Sequence, residues 1–281
     1  MCPDTAGPVS ATPLCRHPVG LDFMSASSRS MRAMSIDALV ARLDAYDTDP
    51  AAVRLRTRSY DLLGDPDGVV ADVGCGAGRA VAELADRGVR SVGVDVSEQM
   101  IDLARRRWPG ADLRVAGADR LPFGNGTLAG YRADKVLHDL DDPARALAEA
   151  RRVLAPGGRA VLISQDWDTL VLDSSDPALT RTIAHARADR LASPRVARAL
   201  RSLLLDAGFQ DVTVEVDTGV FTGRAAEAML GGLTAAAEAA CASGAVPQAQ
   251  ADGWLAEQRD RVRCDRFFLA VPMFVAAATA P

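Results

Sequence analysis

Short apolar runs alternate with segments of helical period through the middle of this chain. Val69–Val73, Ser91–Asp95, Asp112–Ala116, Leu128–Ala133 and Arg159–Ser164 read as strands. Between them, Gly78–Arg87 presents Val81, Leu84 and Ala85 on one face and stops at Gly88. The segment after Ser97 carries Met100, Ile101 and Ala104 and stops at Pro109-Gly110. Asp142-Pro143 opens a further helix bearing Leu147, Ala150 and Leu154, which Pro156-Gly157-Gly158 ends. This alternation predicts an α/β fold with a parallel sheet covered on both faces.

The flanks differ from the middle. Ile36, Leu39, Val40 and Leu43 recur behind Ser35, and Val53–Leu63 precedes Gly64-Asp65-Pro66, so two N-terminal helices are expected within 34–64. After the fifth strand, helices are expected over 174–192, 194–207, 224–242 and 247–262, with strands at Val212–Val216 and Phe267–Val275. The inserted helices, 174–207 and 224–262, predict a lid over the C-terminal strand ends. Residues 1–33 are rich in Pro, Ser, Ala and Gly without period, and predict a disordered leader before one domain spanning 34–281.

The densest chemical signal is the turn Gly74-Cys75-Gly76-Ala77-Gly78 between the first strand and its helix. Such a turn lets a nucleotide lie against the backbone at the topological switch point. The spacing is GxGxG, and Arg79 stands where a dinucleotide fingerprint needs its third glycine. S-adenosylmethionine (SAM), which has no phosphate, fits better than NAD. Asp72 is expected to order the loop or to receive the ligand's ammonium group. Asp95, ending the second strand, is placed to accept both ribose hydroxyls. Val96 and Met100 would flank the adenine.

Composition narrows the setting. The 281 residues are 48% hydrophobic and 25% charged, with a formal net charge of −5. No Lys/Arg run favours nucleic acid, and Lys135 is the single lysine. Five cysteines without a CxxC pair, and three scattered histidines, predict neither a disulfide framework nor a metal site. A reducing cytoplasmic setting is expected. The longest apolar run, Phe267–Ala280, is too short to span a membrane and contains Pro272. Homo-oligomerisation is left open.

The stretches VADVGCGAGR (70–79), GVDVS (93–97), RLPF (120–123), ARALAEARRVLAPGGRAVL (144–162) and DWDTLVLDSSDPALTR (166–181) resemble the class I SAM-dependent methyltransferases. The likeness is to the small-molecule branch similar to ubiquinone/menaquinone-biosynthesis methyltransferases, in its actinobacterial form. It implies a Rossmann-like seven-stranded sheet with an antiparallel last strand at 265–275, and S-adenosylhomocysteine as product. It places Cys75 with the glycines in the cofactor loop. Where such proteins carry an adenine-facing aspartate this chain has Gly117, so Asp119 and the backbone of Ala118 are the substitutes. Where they carry a histidine before Leu140 it has Asp139, with His138 one place earlier.

Methyl transfer needs a nucleophile held in line and water excluded. His138, after the fourth strand, and Asp166, after the fifth, are the candidate catalytic groups. Trp167 and Tyr46 are the candidate substrate contacts, and Gln165 and Asp168 share the rim. The expected acceptor is a small aromatic or quinone-like metabolite methylated on C, N or O. An NAD(P)-dependent oxidoreductase or a non-catalytic SAM-binding protein are the alternatives.

Overall fold

The computed structural model describes Val40, Asp44 and residues 48–281. The expected leader, most of the first N-terminal helix and Tyr46 lie outside the described residues. Helix α1 (Pro50–Leu63) starts three residues earlier than its apolar pattern suggests. Asp49 caps it, its Oδ1 accepting from the amides of Ala51 (2.9 Å) and Ala52 (3.2 Å), and Pro50 fills the first position, which needs no N–H donor.

The core then alternates as β1 (Val70–Val73), α2 (Arg79–Asp86), β2 (Ser91–Asp95), α3 (Glu98–Arg107), β3 (Asp112–Val115), β4 (Leu128–Asp134), α4 (Pro143–Val153) and β5 (Leu154–Gln165). Strands β3-β2-β1-β4-β5 pair side by side in parallel. The order reverses at β1, so the C-terminal ends of β1 and β4 diverge and leave a crevice there.

Among the described residues eight strands form the sheet, one more than the resemblance implies. The addition is β6 (Val171–Leu172), too short to carry a periodic signal. After α5 (Pro177–Ala188) and α6 (Val196–Asp206), β7 (Gln210–Thr222) runs well past the expected Val216. Asp217-Thr218-Gly219 reads locally as a turn, but pairing with the last strand carries it on as sheet. A 3-10 turn, Gly223–Met229, leads into α7 (Leu230–Ala242) and α8 (Gln248–Arg263), and β8 (Phe268–Thr279) closes the chain. β8 is antiparallel to β5, β6 and β7. Pro272 stands opposite Thr218 of β7, while on its other side it falls between the stretches of β8 that pair with β6 and β5.

Two apolar clusters cover the two faces. One joins α1, α5, α7 and α8 to the sheet through residues such as Leu55, Ile183, Leu233, Trp254 and Val275. The other joins α4 and α6 to it through Leu147, Ala150, Leu200, Leu204 and Leu162. Helix α6 therefore belongs to the sheet-covering layer and not to the expected lid: its apolar stripe Val196, Ala197, Leu200 and Leu204 faces β5 and β8. Helix α7 packs against both α5 and α8.

Candidate active site

The glycine loop follows β1 with positive φ at Gly74 (71°), Gly76 (52°) and Gly78 (81°). The amides of Gly74 and Cys75 both donate to the Val94 carbonyl, at 2.7 and 3.0 Å, tying the loop to β2. A Cβ on Gly74 would stand 2.2 Å from Val136 Cγ2, and one on Gly78 would stand 2.9 Å from Trp108 Cδ1. A Cβ on Gly76 would meet only Met100 Cε, at 3.6 Å. Asp95 braces the loop: its Oδ2 accepts from Gly76 N (2.9 Å) and its Oδ1 from Ser97 N (2.8 Å). Each oxygen so engaged retains acceptor capacity for a hydroxyl. Burial pushes the Cys75 thiol up, so it stays protonated and acts as an apolar neighbour.

An apolar floor lies beside this loop. Met100, Ala77 and Leu103 pack together with Val40, while Val96 is 74% exposed. Asp44 pairs with Arg79 (3.6 Å), at the start of α2, and with Arg107, at the end of α3. Gly117 has a purpose the sequence concealed. The Asp119 Oδ1 lies 2.8 Å from where a Gly117 Cβ would be, so the Asp119 carboxylate folds over position 117. Arg145 holds it from the other side at 3.2 Å. Ala118 is buried between them.

Asp72 does not stand at the loop to receive a ligand's ammonium. It is fully buried, and its Oδ1 accepts from Arg132 Nη1 at 2.6 Å. Arg132, on β4, is 2% exposed and also donates to Asp134 (2.9 Å) and to Ser59 Oγ (2.8 Å). Burial pushes the Asp72 carboxyl up, and Arg132 opposes it. Burial likewise works against the Asp134 carboxylate, but Lys135 and Arg132 outweigh it and hold its pKa down. Tyr60 joins the same assembly, its ring 5.4 Å from the Arg132 guanidinium and its hydroxyl donating to Glu83 at 2.9 Å.

The network ends at Lys135, paired with Asp134 and held at φ 61° just beyond β4. Lys135 lines a cavity open to solvent together with Gln165, the last residue of β5. The remaining walls are largely apolar, including Leu55, Phe221, Met229, Val271 and Met273. Its two carboxylates are already engaged, Asp49 in capping α1 and Asp217 with Arg54. Val136, the residue after Lys135, packs on Gly74, so one chain step separates a cavity-lining residue from a side chain against the glycine loop.

His138 and Asp166 are not brought to that cavity. His138 is 0% exposed, and its ring meets Trp167 edge-on with centroids 5.3 Å apart. Neither ring nitrogen has a hydrogen-bond partner among the described residues; Nε2 is 3.7 Å from Asp139 Oδ2. Burial, then the charges of Lys135 and Arg187, pull its pKa down to about 4. Asp166 is buried under Arg198, which binds both carboxylate oxygens, and its Oδ1 accepts from Asp168 N at 3.1 Å. Trp167 lines a second, smaller cavity on the far side of Gln165.

Comparison with known proteins agrees with this layout. The methyltransferase-domain family matches residues 71–162, the stretch from β1 to β5. A 37.1 kDa protein in transposon TN4556 of Streptomyces fradiae is 34% identical over 283 residues, covering 95% of this chain and 81% of that one. The chain belongs to the class I SAM-dependent methyltransferases. A ubiquinone/menaquinone biosynthesis C-methyltransferase of Desulfotalea psychrophila is 37% identical over 136 residues, 45% of this chain and 55% of that protein. This methyltransferase thus spans only about half the length of that relative. Its fold matches Haemonchus contortus phosphoethanolamine N-methyltransferase 2, solved with SAM, at a TM-score of 0.55 and 15% identity, over 86% of this chain and 57% of that one.

Among the described residues, no helix is long and apolar enough to cross a membrane, and no group of three or more His, Cys, Asp or Glu is placed to hold a metal. Two site features of this methyltransferase escaped the sequence. Lys135 stands out in the sequence as the single lysine, but its place in the cavity wall depends on a left-handed backbone that the sequence does not signal. Arg132 sits inside an apolar strand pattern, where a charge signals a buried partner; Asp72 and Asp134 were the signal.

Proposed function

We propose that this methyltransferase acts on a small aromatic, hydroxyl-bearing or quinone-like acceptor held in the cavity between the ends of β4 and β5. The carrying observation is Lys135: the chain's single lysine, kept in a backbone conformation unfavourable for a side-chain-bearing residue, in a largely apolar cavity whose two carboxylates are engaged by other groups. The quinone-biosynthesis relative supports an acceptor of this class.

The cofactor loop suits SAM on the chain's own geometry. Gly76 leaves its side of the loop free of side chain, Asp95 retains lone pairs for ribose hydroxyls, and Met100 with Val96 provides an apolar bed for adenine. Asp119, folded over Gly117, stands in for the adenine-facing carboxylate, with the Ala118 backbone beside it. Bound SAM supplies an electrophilic methyl that a nucleophile displaces in line.

The acceptor's nucleophile is prepared by the cavity. The Lys135 ammonium favours the oxyanion form of an acceptor hydroxyl, whose proton goes to bulk solvent before the ring enters the cavity, and holds that oxyanion for attack on the methyl. Gln165 orients the ring by its amide, and Leu55, Phe221, Met229 and Met273 exclude water. His138, with its pKa near 4, is too weak a base for this task at neutral pH. We assign it to supporting Trp167, and Asp166 with Arg198 to fixing the turn after β5.

Thermal unfolding with S-adenosylhomocysteine and with nicotinamide dinucleotides tests the cofactor. The former, at one hundred times its Kd, stabilises the fold by about 2.7 kcal/mol, and the latter do not. The reverse result overturns a methyltransferase. A Lys135→Met variant, assayed by S-adenosylhomocysteine release over a panel of phenols and quinols, loses at least about tenfold in turnover while its cofactor affinity stays unchanged. Lys135→Arg recovers part of the loss. Binding without turnover on any acceptor would leave a SAM-binding protein.

A further inference from the structure

Trp108 follows α3 as its C-cap and meets the glycine loop from behind. Its indole Nε1 donates to the Ala77 carbonyl at 3.0 Å. The Gly78 amide, on the same peptide unit, donates to the Cys75 carbonyl at 2.9 Å. The C=O and N–H of a trans peptide point to opposite sides of one rigid plane, so this unit is held from both ends. Glycine would otherwise let it turn at little steric cost: Gly78 stands at φ 81° and caps α2 without a side-chain hydrogen bond. The ring fills the space beside it, with Cδ1 2.9 Å from where a Gly78 Cβ would be. The Arg79 guanidinium, at the first position of α2, lies over the same ring, 5.1 Å from its centroid. One indole thus engages three successive residues, Ala77, Gly78 and Arg79.

Resting on the reading that the loop at 74–78 holds the cofactor, we propose that Trp108 is a positioning residue for SAM. Its indole N–H fixes the Ala77–Gly78 peptide in the orientation to which the cofactor binds. The spacing along α3 supports this role. Met100, Ala104 and Trp108 are four residues apart and share one helix face. Met100 stands beside Gly76, while Ala104 and Trp108 stand beside Gly78. The face that offers the apolar bed therefore also braces the loop. Turning the peptide over exchanges the places of a donor and an acceptor in the loop. A loop that populates both orientations binds its ligand more weakly, in proportion to the fraction wrongly turned. Trp108 acts through the loop and is not a catalytic residue.

The test is calorimetric titration of the full chain with S-adenosylhomocysteine at about pH 8, where an added imidazole is neutral. Trp108→Phe keeps an aromatic ring and deletes the N–H, and binds about five- to tenfold more weakly, as the loss of one hydrogen bond predicts. Trp108→His places its Nε2 at the same point along the side chain as the indole Nε1 and regains most of the loss. Trp254→Phe deletes an indole N–H bonded elsewhere, to Thr180 Oγ1 at 2.9 Å, and leaves the affinity unchanged. Urea unfolding without ligand certifies that each variant folds. The wild-type chain gives a second measurement that needs no variant. By linkage, if the indole bond favours the bound loop, binding favours the bond. Deuterium exchange of the Trp108 indole N–H, followed by NMR, therefore slows by a like factor when S-adenosylhomocysteine binds. Unchanged exchange, unchanged affinity in Trp108→Phe, or a loss that Trp108→His does not restore overturns the proposal. Gly76→Ala, titrated alongside, separates the two readings. If it binds weakly while Trp108→Phe binds normally, the cofactor loop stands and only the role of Trp108 falls. Normal binding by both variants, or no binding by the wild type, overturns the loop reading as well.

Discussion

Three glycines in one turn do different work. Gly74 and Gly78 are glycine because neighbouring side chains, Val136 and Trp108, occupy the space of a Cβ. Gly76 is constrained by its φ of 52° and by Asp95, with only Met100 near. Gly74→Ala therefore forces Val136 or the loop to move and lowers stability by about 1–3 kcal/mol, measurable by urea unfolding. Gly76→Ala costs only about 1 kcal/mol of left-handed backbone, yet puts a methyl into the space proposed for the cofactor and is expected to weaken S-adenosylhomocysteine binding at least about tenfold. Equal stability losses in the two variants would refute this division. The motif was legible in the sequence as GxGxG; which glycine serves packing and which serves the ligand was not, because Val136 and Trp108 arrive from other elements. The same holds for His138, legible as a residue near the rim and placed by the fold behind Trp167.

Strand β4 illustrates the element scale. Its sequence, Leu-Ala-Gly-Tyr-Arg-Ala-Asp, reads as an apolar strand interrupted by charge. The interruption is the fully buried Arg132, bracketed by Asp72 of β1, Asp134 and Ser59 of α1. These contacts lock α1, whose Ala52 and Leu55 line the larger cavity, to the strand that carries the cofactor loop. Arg132→Met leaves Asp72 without its cation and is expected to cost about 3–5 kcal/mol. Adding Asp72→Asn removes that uncompensated charge, so the double variant regains a substantial part of the loss. A double variant as unstable as the single one would mean that packing around Arg132, not charge, holds the three elements together. The strand's existence was plain from its apolar run. Its charge pairing required the parallel register that sets Asp72 opposite Arg132.

At the scale of the molecule, the buried ring of His138 couples stability to pH. Its pKa of about 4 in the fold lies below the ordinary 6.5 of an exposed imidazole. The unfolded chain therefore takes up a proton that the fold refuses. The contribution is complete above pH 6.5, declines as pH falls from there, and is exhausted below about 4, an overall effect on the order of 3 kcal/mol. Between pH 7 and 5 the wild-type unfolding free energy should fall by about 2 kcal/mol more than that of His138→Leu. Parallel pH profiles in the two proteins would contradict the buried neutral imidazole. Function at this scale depends on how far apart in sequence the cavity's walls lie: α1, the ends of β4 and β5, β7, Met229 and β8.

The sequence by itself determined the alternating α/β core, the glycine loop after β1 and the place of Asp95 at the end of β2, since these rest on local periodicity, turn chemistry and a short loop between neighbouring strands. Tertiary structure alone decided that α6 covers the sheet, that β7 runs its full length beside β8, and that Lys135, Gln165 and Arg187, not His138 and Asp166, face the cavities. The physical reason is that burial and charge pairing are set by partners far along the chain: Arg198 takes Asp166, Trp167 covers His138, and a left-handed backbone turns Lys135 inward.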